Sequence, residues 1–196
     1  MKLLAFIALL LAVQVHPVAG QNFNAGVMAY GRGDYTTALK HFKPLAEKGD
    51  AGAQNNLGSM YEQGRGVLQD LVEASKWFHL AAEQDHVFAK HNLGYMYESG
   101  RGVPKNYAEA VRWYRSAADQ GDSAAQFDLC RLYWAGNGLP QNYFLAYAWC
   151  SIAAKGSQKN IKIAATHARN RIEKVFSPAD LARAKAATSK IAQAIK

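Results

Sequence analysis

The chain has 196 residues, which is enough for one domain with a substantial hydrophobic core, and it carries a formal net charge of +8. Beyond the N-terminal segment, no apolar run approaches the length that a membrane-spanning helix needs. The sequence therefore predicts no transmembrane segment after that point.

The N-terminal segment, residues 1–20, predicts a secretory signal peptide. Lys2 supplies a positive charge, an apolar run extends from Leu3 to Val13, and small residues precede Gln21. The run is too short for a membrane span, and the small residues offer a cleavage site. The mature chain is expected to begin at Gln21 in an exported compartment, so that the protein would be periplasmic or secreted.

Three segments of the chain repeat one pattern at a fixed spacing of 36 residues. They begin at Ala53, Ala89 and Ala125. A shared period over several copies is the signature of a solenoid, in which each repeat packs only against its neighbours. Positions that match in all three copies are Leu57, Leu93 and Leu129; Tyr61, Tyr97 and Tyr133; and Trp77, Trp113 and Trp149.

Each copy has the pattern of two helices separated by a glycine-rich turn. Apolar residues recur at helical spacing on both sides of the turn. Gly64 and Gly100 stand where the first helix must end, and glycine can adopt the left-handed conformation that caps a helix. Asp70 and Asn106 each precede a glutamate by three residues, which is the spacing of a capping box that opens the second helix.

The turn segments YEQGRGV and YESGRGV could hold a phosphate, but turn chemistry alone accounts for their glycines. A phosphate-binding loop would normally occur once rather than in successive copies. We therefore interpret the segments as turns between helices. Arg65 and Arg101 within them are expected to be solvated or to pair with a neighbouring repeat.

The pattern resembles the Sel1-like repeat family, a branch of the tetratricopeptide-like α-solenoids. The resemblance rests on an A-x-x-x-L-G-x-x-Y core, a glycine-rich turn ending in GV or GL, and a second helix with A-x-x-W-(F/Y)-x-x-A-A. It covers residues 53–156 closely and implies an all-α solenoid with repeats at 53–88, 89–124 and 125–157. Residues 21–52 resemble a shorter, tetratricopeptide-like unit.

Residues 158–196 predict a cap of two further helices over the exposed end of the last repeat. The first would occupy residues 158–176, and Ser177 with Pro178 would start the second as N-cap and first-turn residue. A solenoid needs such a cover over its terminal repeat. The closing segment S-P-x-x-L-A-x-A also resembles the tail of many secreted Sel1-like proteins.

The third full copy departs from the other two at both of its cysteines, and it has Asn137 where they have arginine. Cys130 stands in place of a glycine, and Cys150 in place of an aromatic residue. The two positions lie equally far from the centre of the turn, so they should face each other across the helix pair. Neighbouring helices can bring Cα atoms within the roughly 7 Å that a disulfide requires. In an exported compartment we expect a disulfide rather than two buried thiols.

Positive charge is concentrated at the C-terminal end of the chain. Residues 21–154 contain 12 Lys and Arg against 13 Asp and Glu, whereas residues 155–196 contain 10 against 2. The basic end is either a binding surface for an anionic partner, such as an acidic protein or an envelope surface, or only a solubilising surface. Export and the scarcity of aromatic residues among these charges disfavour nucleic acid. The candidate basic patch consists of Lys159, Lys162, Arg169, Arg171, Arg183, Lys185 and Lys190.

No catalytic or metal-binding pattern stands out in the sequence. The histidines lack His-x-x-x-His or Glu-x-x-His spacing, and no Gly-x-Ser-x-Gly segment occurs. We therefore expect no enzymatic activity, metal or cofactor. The alternative is a cell-envelope enzyme or glycan-binding accessory acting on peptidoglycan or β-lactams, because some cysteine-rich secreted members of the family have been described as binding or hydrolysing β-lactams.

The resemblance implies that a peptide or protein element binds the concave face, which is built mainly from the first helix of each repeat. We therefore expect an exported, non-catalytic binding module. Trp134 stands where the other copies have Glu62 and Glu98, which suggests either a ligand anchor or a contact with the cap. The tryptophan that recurs on the second helix is instead expected in the core. The candidate groove residues are Tyr30, Asn55, Ser59, Glu62, His91, Tyr95, Glu98, Phe127, Arg131 and Trp134.

Overall fold

The chain is entirely helical in the part that its structure describes, residues 19–195 of a computed structural model. The first eight helices form four antiparallel pairs, which we number units 1 to 4, and the predicted α-solenoid is confirmed. The predicted signal peptide, residues 1–20, lies outside the described residues except for its last two. Within the described part, no helix combines the length and the apolar character needed to cross a bilayer. The helices are α1 (Ala19–Gly31), α2 (Tyr35–Glu47), α3 (Ala51–Gln63), α4 (Leu71–Glu83), α5 (Val87–Ser99), α6 (Tyr107–Ala118), α7 (Ser123–Ala135), α8 (Tyr143–Ala153), α9 (Lys159–Glu173) and α10 (Pro178–Ala194).

The second helices of units 2 and 3 begin at the polar N-caps that the sequence predicts. The side chain of Asp70 accepts a hydrogen bond from the Glu73 N–H at 2.9 Å, and that of Asn106 accepts one from the Glu109 N–H at 3.2 Å. The reciprocal half of the capping box is not formed, because the N–H of the capping residue already donates to a first-helix carbonyl, that of Tyr61 in the case of Asp70. The two glutamates pair instead with basic residues one turn further along their own helices.

Both glycines of the G-R-G turn have structural roles. Gly64 and Gly100 end the first helices in the left-handed conformation, with φ of 67° and 74°, which confirms the predicted helix ends. The second glycine of each turn also has positive φ, and it lies against the second helix of the preceding unit. A Cβ on Gly102 would overlap the backbone carbonyl of Leu71. The turn is therefore a place where neighbouring units meet backbone to backbone.

Contacts between units arrange the helices in two layers. In the first-helix layer, Asn92 on α5 donates to Asn55 on α3 at 3.1 Å. In the second-helix layer, the ring of His79 on α4 lies 5.8 Å from the ring of Trp113 on α6. The core lies between the layers, where the leucines that recur in all three full copies are completely buried. Because each unit contacts only its neighbours, any surface shared by several units is assembled stepwise along the chain.

The recurring tryptophan is not equally buried in the three full copies. Trp149 is fully buried and Trp113 nearly so, but Trp77 is only partly buried. A side chain of the preceding unit covers the buried rings, as Arg115 does over Trp149 at 4.9 Å from the ring centroid. The corresponding residue before Trp77 is Lys43, whose side chain is exposed. The prediction that the recurring tryptophan lies in the core is therefore confirmed for Trp113 and Trp149 and only in part for Trp77.

Unit 4 is closed by a disulfide between its two helices. Cys130 on α7 and Cys150 on α8 are bonded, their Cα atoms are 5.2 Å apart, and both are buried, as the sequence pattern predicts. At the matching place in unit 3, a Cβ on Gly94 would lie 2.6 Å from the ring of Tyr114. A covalent link has therefore replaced the packing of a large ring on a glycine.

The two C-terminal helices pack against α8. Helix α9 takes the place beside α8 that the first helix of a further unit would occupy. Helix α10 also packs on α8 rather than pairing with α9. Ser177 accepts a hydrogen bond from the Asp180 N–H at 3.1 Å, and Ile172 and Ala184 are buried. The apolar end of unit 4 is thus covered, and α9 extends the first-helix layer.

Candidate functional site

The ten candidate groove residues all lie on the first helices α1, α3, α5 and α7. Tyr95 and Arg131 are exposed, and the other eight are partly buried. Partial burial leaves polar atoms accessible while neighbouring side chains limit the rotamers they can adopt. These residues therefore form a surface of restrained side chains along one layer of the solenoid.

Polar contacts connect this surface from one unit to the next. His91 Nε2 lies 2.9 Å from Asp128 Oδ2, which joins α5 to α7. Arg131 Nη2 on α7 donates to both carboxylate oxygens of Glu98 at 2.8 Å, and to Asp128 at 3.1 Å. Together with the Asn92–Asn55 hydrogen bond, these contacts make the surface a chain of paired groups. Most of its charges are already balanced before any ligand arrives.

The turn arginines pair with the preceding unit, which decides between the two expectations for them. Arg65 donates to the Tyr30 hydroxyl at 2.8 Å, and its guanidinium lies over the ring of Tyr35 at 5.2 Å. Arg101 lies 3.4 Å from Glu62. In unit 4 the turn carries Asn137 instead of arginine, and Glu98 on the preceding unit is bound by Arg131 from helix α7.

Burial and the charges on or next to α5 and α7 shift the pKa values of His91, which is partly buried, and Tyr114, which is buried. Burial alone would lower the pKa of His91, but its hydrogen bond to Asp128 and the charges of Asp128, Asp122 and Glu98 raise it above the ordinary 6.5. Burial, followed by the charges of Asp128 and Glu98, raises the pKa of Tyr114 well above its usual range. The Tyr114 hydroxyl therefore stays protonated and donates to Glu98 at 2.9 Å.

A cavity of about 210 Å³ lies where the first-helix surface meets α9, and we call it the groove-end cavity. Its apolar walls come from α7 and α9, and two guanidinium groups stand among its lining residues. Trp134 lines this cavity and also packs on the ring of Tyr143, with centroids 4.9 Å apart. The residue is thus in contact with the cavity and beside the cap helix at once. The lining residues are Phe127, Cys130, Arg131, Trp134, Ala168, Arg171 and Ile172.

The seven basic residues proposed as one patch lie on different surfaces. Lys159 and Lys162 flank an outer surface of α9, and Arg171 lines the groove-end cavity. Arg169 and Lys185 line a separate cavity between α8, α9 and α10. The remaining two, Arg183 and Lys190, are exposed on α10, where Arg183 lies 3.3 Å from Asp180.

Sequence comparison of the copies misses several residues that the structure brings to these sites. Asp128 holds both His91 and Arg131, and only its spacing of three residues from Arg131 hinted at a pair. Ser151 and Lys155 line the cavity between α8, α9 and α10. Within residues 19–195, no group of three or more His, Cys, Asp or Glu side chains is placed to hold a metal ion.

Comparison with known families places the chain in the Sel1 repeat family. The Sel1 repeat model matches residues 22–50, 51–86, 87–122 and 123–157, which together make up more than half of the chain. The shorter unit 1 is thus matched as a Sel1 repeat as well. Sel1 repeat proteins generally act as scaffolds for protein interactions.

Solved structures with the same architecture include a Sel1 repeat protein from Oxalobacter formigenes, 35% identical, with a TM-score of 0.67 over 71% of this chain. Another is a protective antigen of uropathogenic Escherichia coli strains with an SLR fold, 28% identical, with a TM-score of 0.79 over 90% of this chain. This chain spans 56% of the first protein and 38% of the second. No curated protein matches the chain.

Proposed function

We propose that this protein is an exported, non-catalytic binding module that holds a segment of a partner protein along its first-helix layer. The partner segment places one apolar side chain in the groove-end cavity. An acidic residue beside that side chain faces Arg171. The partner is therefore a protein or peptide in which apolar and acidic residues are neighbours.

The groove-end cavity is the single observation that carries this proposal. Phe127, Trp134 and Ile172 give it apolar walls, and about 210 Å³ is room for one large side chain. Buried aromatic anchors with an arginine nearby are the usual centres of binding energy in protein interfaces. Arg131 is already paired with Glu98 and Asp128, whereas Arg171 has no ion pair with any described residue. Arg171 is thus the cation left to meet an acidic partner.

The paired groups along α3, α5 and α7 support the same function. Because His91, Glu98 and Arg131 are held by neighbours, they need little reordering when a partner binds, and binding loses less entropy. Export is supported by two features: the apolar N-terminal segment with small residues before Gln21, and the buried Cys130–Cys150 bond. Disulfides persist mainly in oxidising compartments outside the cytosol.

The test is affinity capture from a cell-envelope extract, with the purified protein beside its Trp134→Ala variant. Loss of the indole should weaken capture of a specific partner at least tenfold, as is common for a buried anchor. Leu68→Ala is the matched control, because Leu68 is 92% exposed and lies in the unit 2 turn, away from the cavity. Circular dichroism and intact mass under non-reducing conditions establish that each bait is folded and oxidised.

Two outcomes of this capture would overturn the proposal. Equal recovery of every protein by wild type and Trp134→Ala would remove the cavity from the binding surface. Recovery that is equal with and without Trp134 but is lost at high salt would indicate that the partner binds the basic helices, because salt screens exposed electrostatic contacts. In the supporting case, Arg171→Gln should weaken the same partner about threefold to tenfold.

A further inference from the structure

A second cavity, of about 260 Å³, lies between α8, α9 and α10, and three positive side chains converge on it. Lys155 comes from the turn after α8, Arg169 from α9 and Lys185 from α10. The three residues belong to separate segments, so their meeting is a product of the fold and not of one charged helix face. Like charges repel, and a cluster of this kind is favourable only when an anion or solvent screens it.

One buried hydroxyl in this cavity has a hydrogen to donate. Ser151 is 8% exposed and lines the cavity, and its Oγ makes no well-formed hydrogen bond to a described residue, although the Tyr147 hydroxyl lies close to it. The other hydroxyls have used their hydrogens: Thr188 donates to the Ala184 carbonyl at 2.9 Å, and Tyr147 donates to Glu173 at 3.0 Å. Ser189 likewise donates to a carbonyl of its own helix, that of Lys185, at 3.3 Å. A buried polar group left without a partner is unfavourable, and such groups often mark the place of a ligand.

The charge of the cavity matches that of a phosphate monoester. Of the three cations, Arg169 forms an ion pair with a described residue: its Nε lies 3.9 Å from a carboxylate oxygen of Glu173. Three positive charges and this one carboxylate leave a formal charge of +2. A phosphate monoester carries about −1.5 to −2 at neutral pH and has three strong acceptor oxygens. A carboxylate has one charge and two oxygens, so it would leave donors of this cavity unused.

We propose that the cavity between α8, α9 and α10 binds a phosphate group through Lys155, Arg169, Lys185 and the Ser151 hydroxyl. Ser151 donates to one oxygen, and the three cations surround the others. The site is independent of the groove-end cavity, which lies between α7 and α9, so either assignment can fail without the other. Inorganic phosphate, phosphorylated small molecules and lipid headgroups that end in a phosphate monoester all present this chemistry.

The experiment is calorimetric titration of the purified protein with inorganic phosphate at constant ionic strength. Ser151→Ala removes the hydroxyl and leaves the charge unchanged. It should weaken phosphate binding about tenfold or more, the size expected for a hydrogen bond to a charged group. Lys185→Gln should weaken it by a similar factor. The matched control is Lys159→Gln, an exposed lysine ten residues from Arg169 along α9, or about 15 Å at helical rise, which should bind phosphate within twofold of wild type.

Thermal unfolding separates loss of the site from loss of the fold. In the absence of phosphate, Ser151→Ala should melt close to wild type, because the Ser151 hydroxyl makes no well-formed hydrogen bond that the substitution would remove. At one phosphate concentration, phosphate should raise the melting temperature of wild type and Lys159→Gln by similar amounts and that of Ser151→Ala by much less. Absence of phosphate binding by wild type would overturn the proposal. Equal weakening by Lys159→Gln and Lys185→Gln, with Ser151→Ala unaffected, would also overturn it by showing only diffuse attraction.

A vesicle arm identifies the source of the phosphate. Sedimentation with vesicles that contain phosphatidic acid, whose headgroup is a phosphate monoester, compared with vesicles of phosphatidylcholine, should show Ser151-dependent binding if the ligand is a lipid headgroup. Phosphate binding that needs Ser151, together with vesicle binding that does not, assigns the site to a soluble phosphate compound. Either conclusion about the source of the phosphate holds only if Ser151→Ala weakens phosphate binding in the calorimetric titration.

Discussion

Units 3 and 4 share one helix-pair geometry but are held together by different means. In unit 3, the Tyr114 ring packs on Gly94, and the turn arginine Arg101 reaches back to Glu62. In unit 4, a disulfide takes the place of the ring and glycine, and the contact to the preceding unit comes from helix α7 instead of the turn. The end of α7 is thereby free to face α9, and the groove-end cavity lies there. The comparison indicates that the last unit lacks the standard contacts at the end that faces the cap, where the groove-end cavity lies.

The largest effect should come from the glycine that separates neighbouring units. Gly102→Ala should reduce the free energy of unfolding by roughly 4 kcal/mol, because alanine is strained at φ +70° and its Cβ would overlap the Leu71 carbonyl. The control is Gly121→Ala, at φ +86° with nothing within 4 Å of its Cβ, which should cost only about 1–2 kcal/mol. Urea unfolding measures both. Equal losses would mean that the close approach between units contributes nothing beyond backbone strain.

The disulfide should give the next largest effect. Cys130→Ala with Cys150→Ala removes a crosslink over a sequence separation of 20, and the free energy of unfolding should fall by about 3 kcal/mol. Cys130→Gly with Cys150→Phe rebuilds the glycine and aromatic pair of unit 2, and it should recover about 1–2 kcal/mol by filling the cavity. Urea unfolding of the three proteins at equal concentration tests this. If the glycine and phenylalanine variant is no more stable than the double alanine variant, glycine–aromatic packing cannot replace the disulfide in this unit.

In unit 4 the arginine that pairs with the preceding unit comes from helix α7 and not from the turn. Restoring a turn arginine tests whether the two positions are equivalent. Arg131→Gln leaves the carboxylate of Glu98, whose side chain is 14% exposed, without its arginine. The loss should be about 1 kcal/mol, reduced by solvent because the Arg131 side chain is 45% exposed. Adding Asn137→Arg supplies a turn arginine at the position of Arg101 and should recover most of that loss. A double variant no more stable than Arg131→Gln would show that the unit 4 turn cannot reach Glu98.

The smallest effect concerns the pH dependence of the contact between units 3 and 4, where His91 meets Asp128. The pKa of His91 is raised above 6.5 in the folded chain, so its stabilisation is fully present below pH about 6.5 and is lost as pH rises through the folded pKa. Asp128→Asn should lower the His91 pKa in a proton NMR titration. It should also destabilise the fold more at pH 5.5 than at pH 8, by less than about 1 kcal/mol. The Arg131–Asp128 pair is lost at both values, so only the difference between them reports His91. A His91 titration identical in both proteins would contradict the assignment.

Much of the fold could be predicted from the sequence, because the repeat presents each position three times. Gly64 and Gly100 mark helix ends in successive copies, and positions 130 and 150 replace a pair of residues that must already touch. The sequence could not predict that the capping box forms only one of its two hydrogen bonds, because the Asp70 N–H donates instead to the carbonyl of Tyr61, nine residues earlier. Local spacing does not reveal that long-range competitor.

The candidate site was less predictable, because both cavities depend on where α9 and α10 pack. The sequence predicts a groove position for Trp134, but Arg171 and Ile172, which lie opposite it, belong to a helix whose sequence does not follow the repeat. The basic residues could be counted but not assigned to surfaces, because α10 packs on α8 and brings Lys185 to Arg169. Neither packing follows from a periodic pattern.

The second glycine of the G-R-G turn has a consequence for how such proteins diversify. Gly66 meets the Tyr35 carbonyl, and Gly102 the Leu71 carbonyl, so the step from unit to unit is fixed by main-chain atoms. Side chains on the first helices add contacts between units, as Arg131 and Glu98 do, but the closest approach is between main-chain atoms. First-helix residues outside those contacts can therefore be exchanged by mutation while the pitch of the solenoid is inherited unchanged, and the exposed surface can diversify without a new fold.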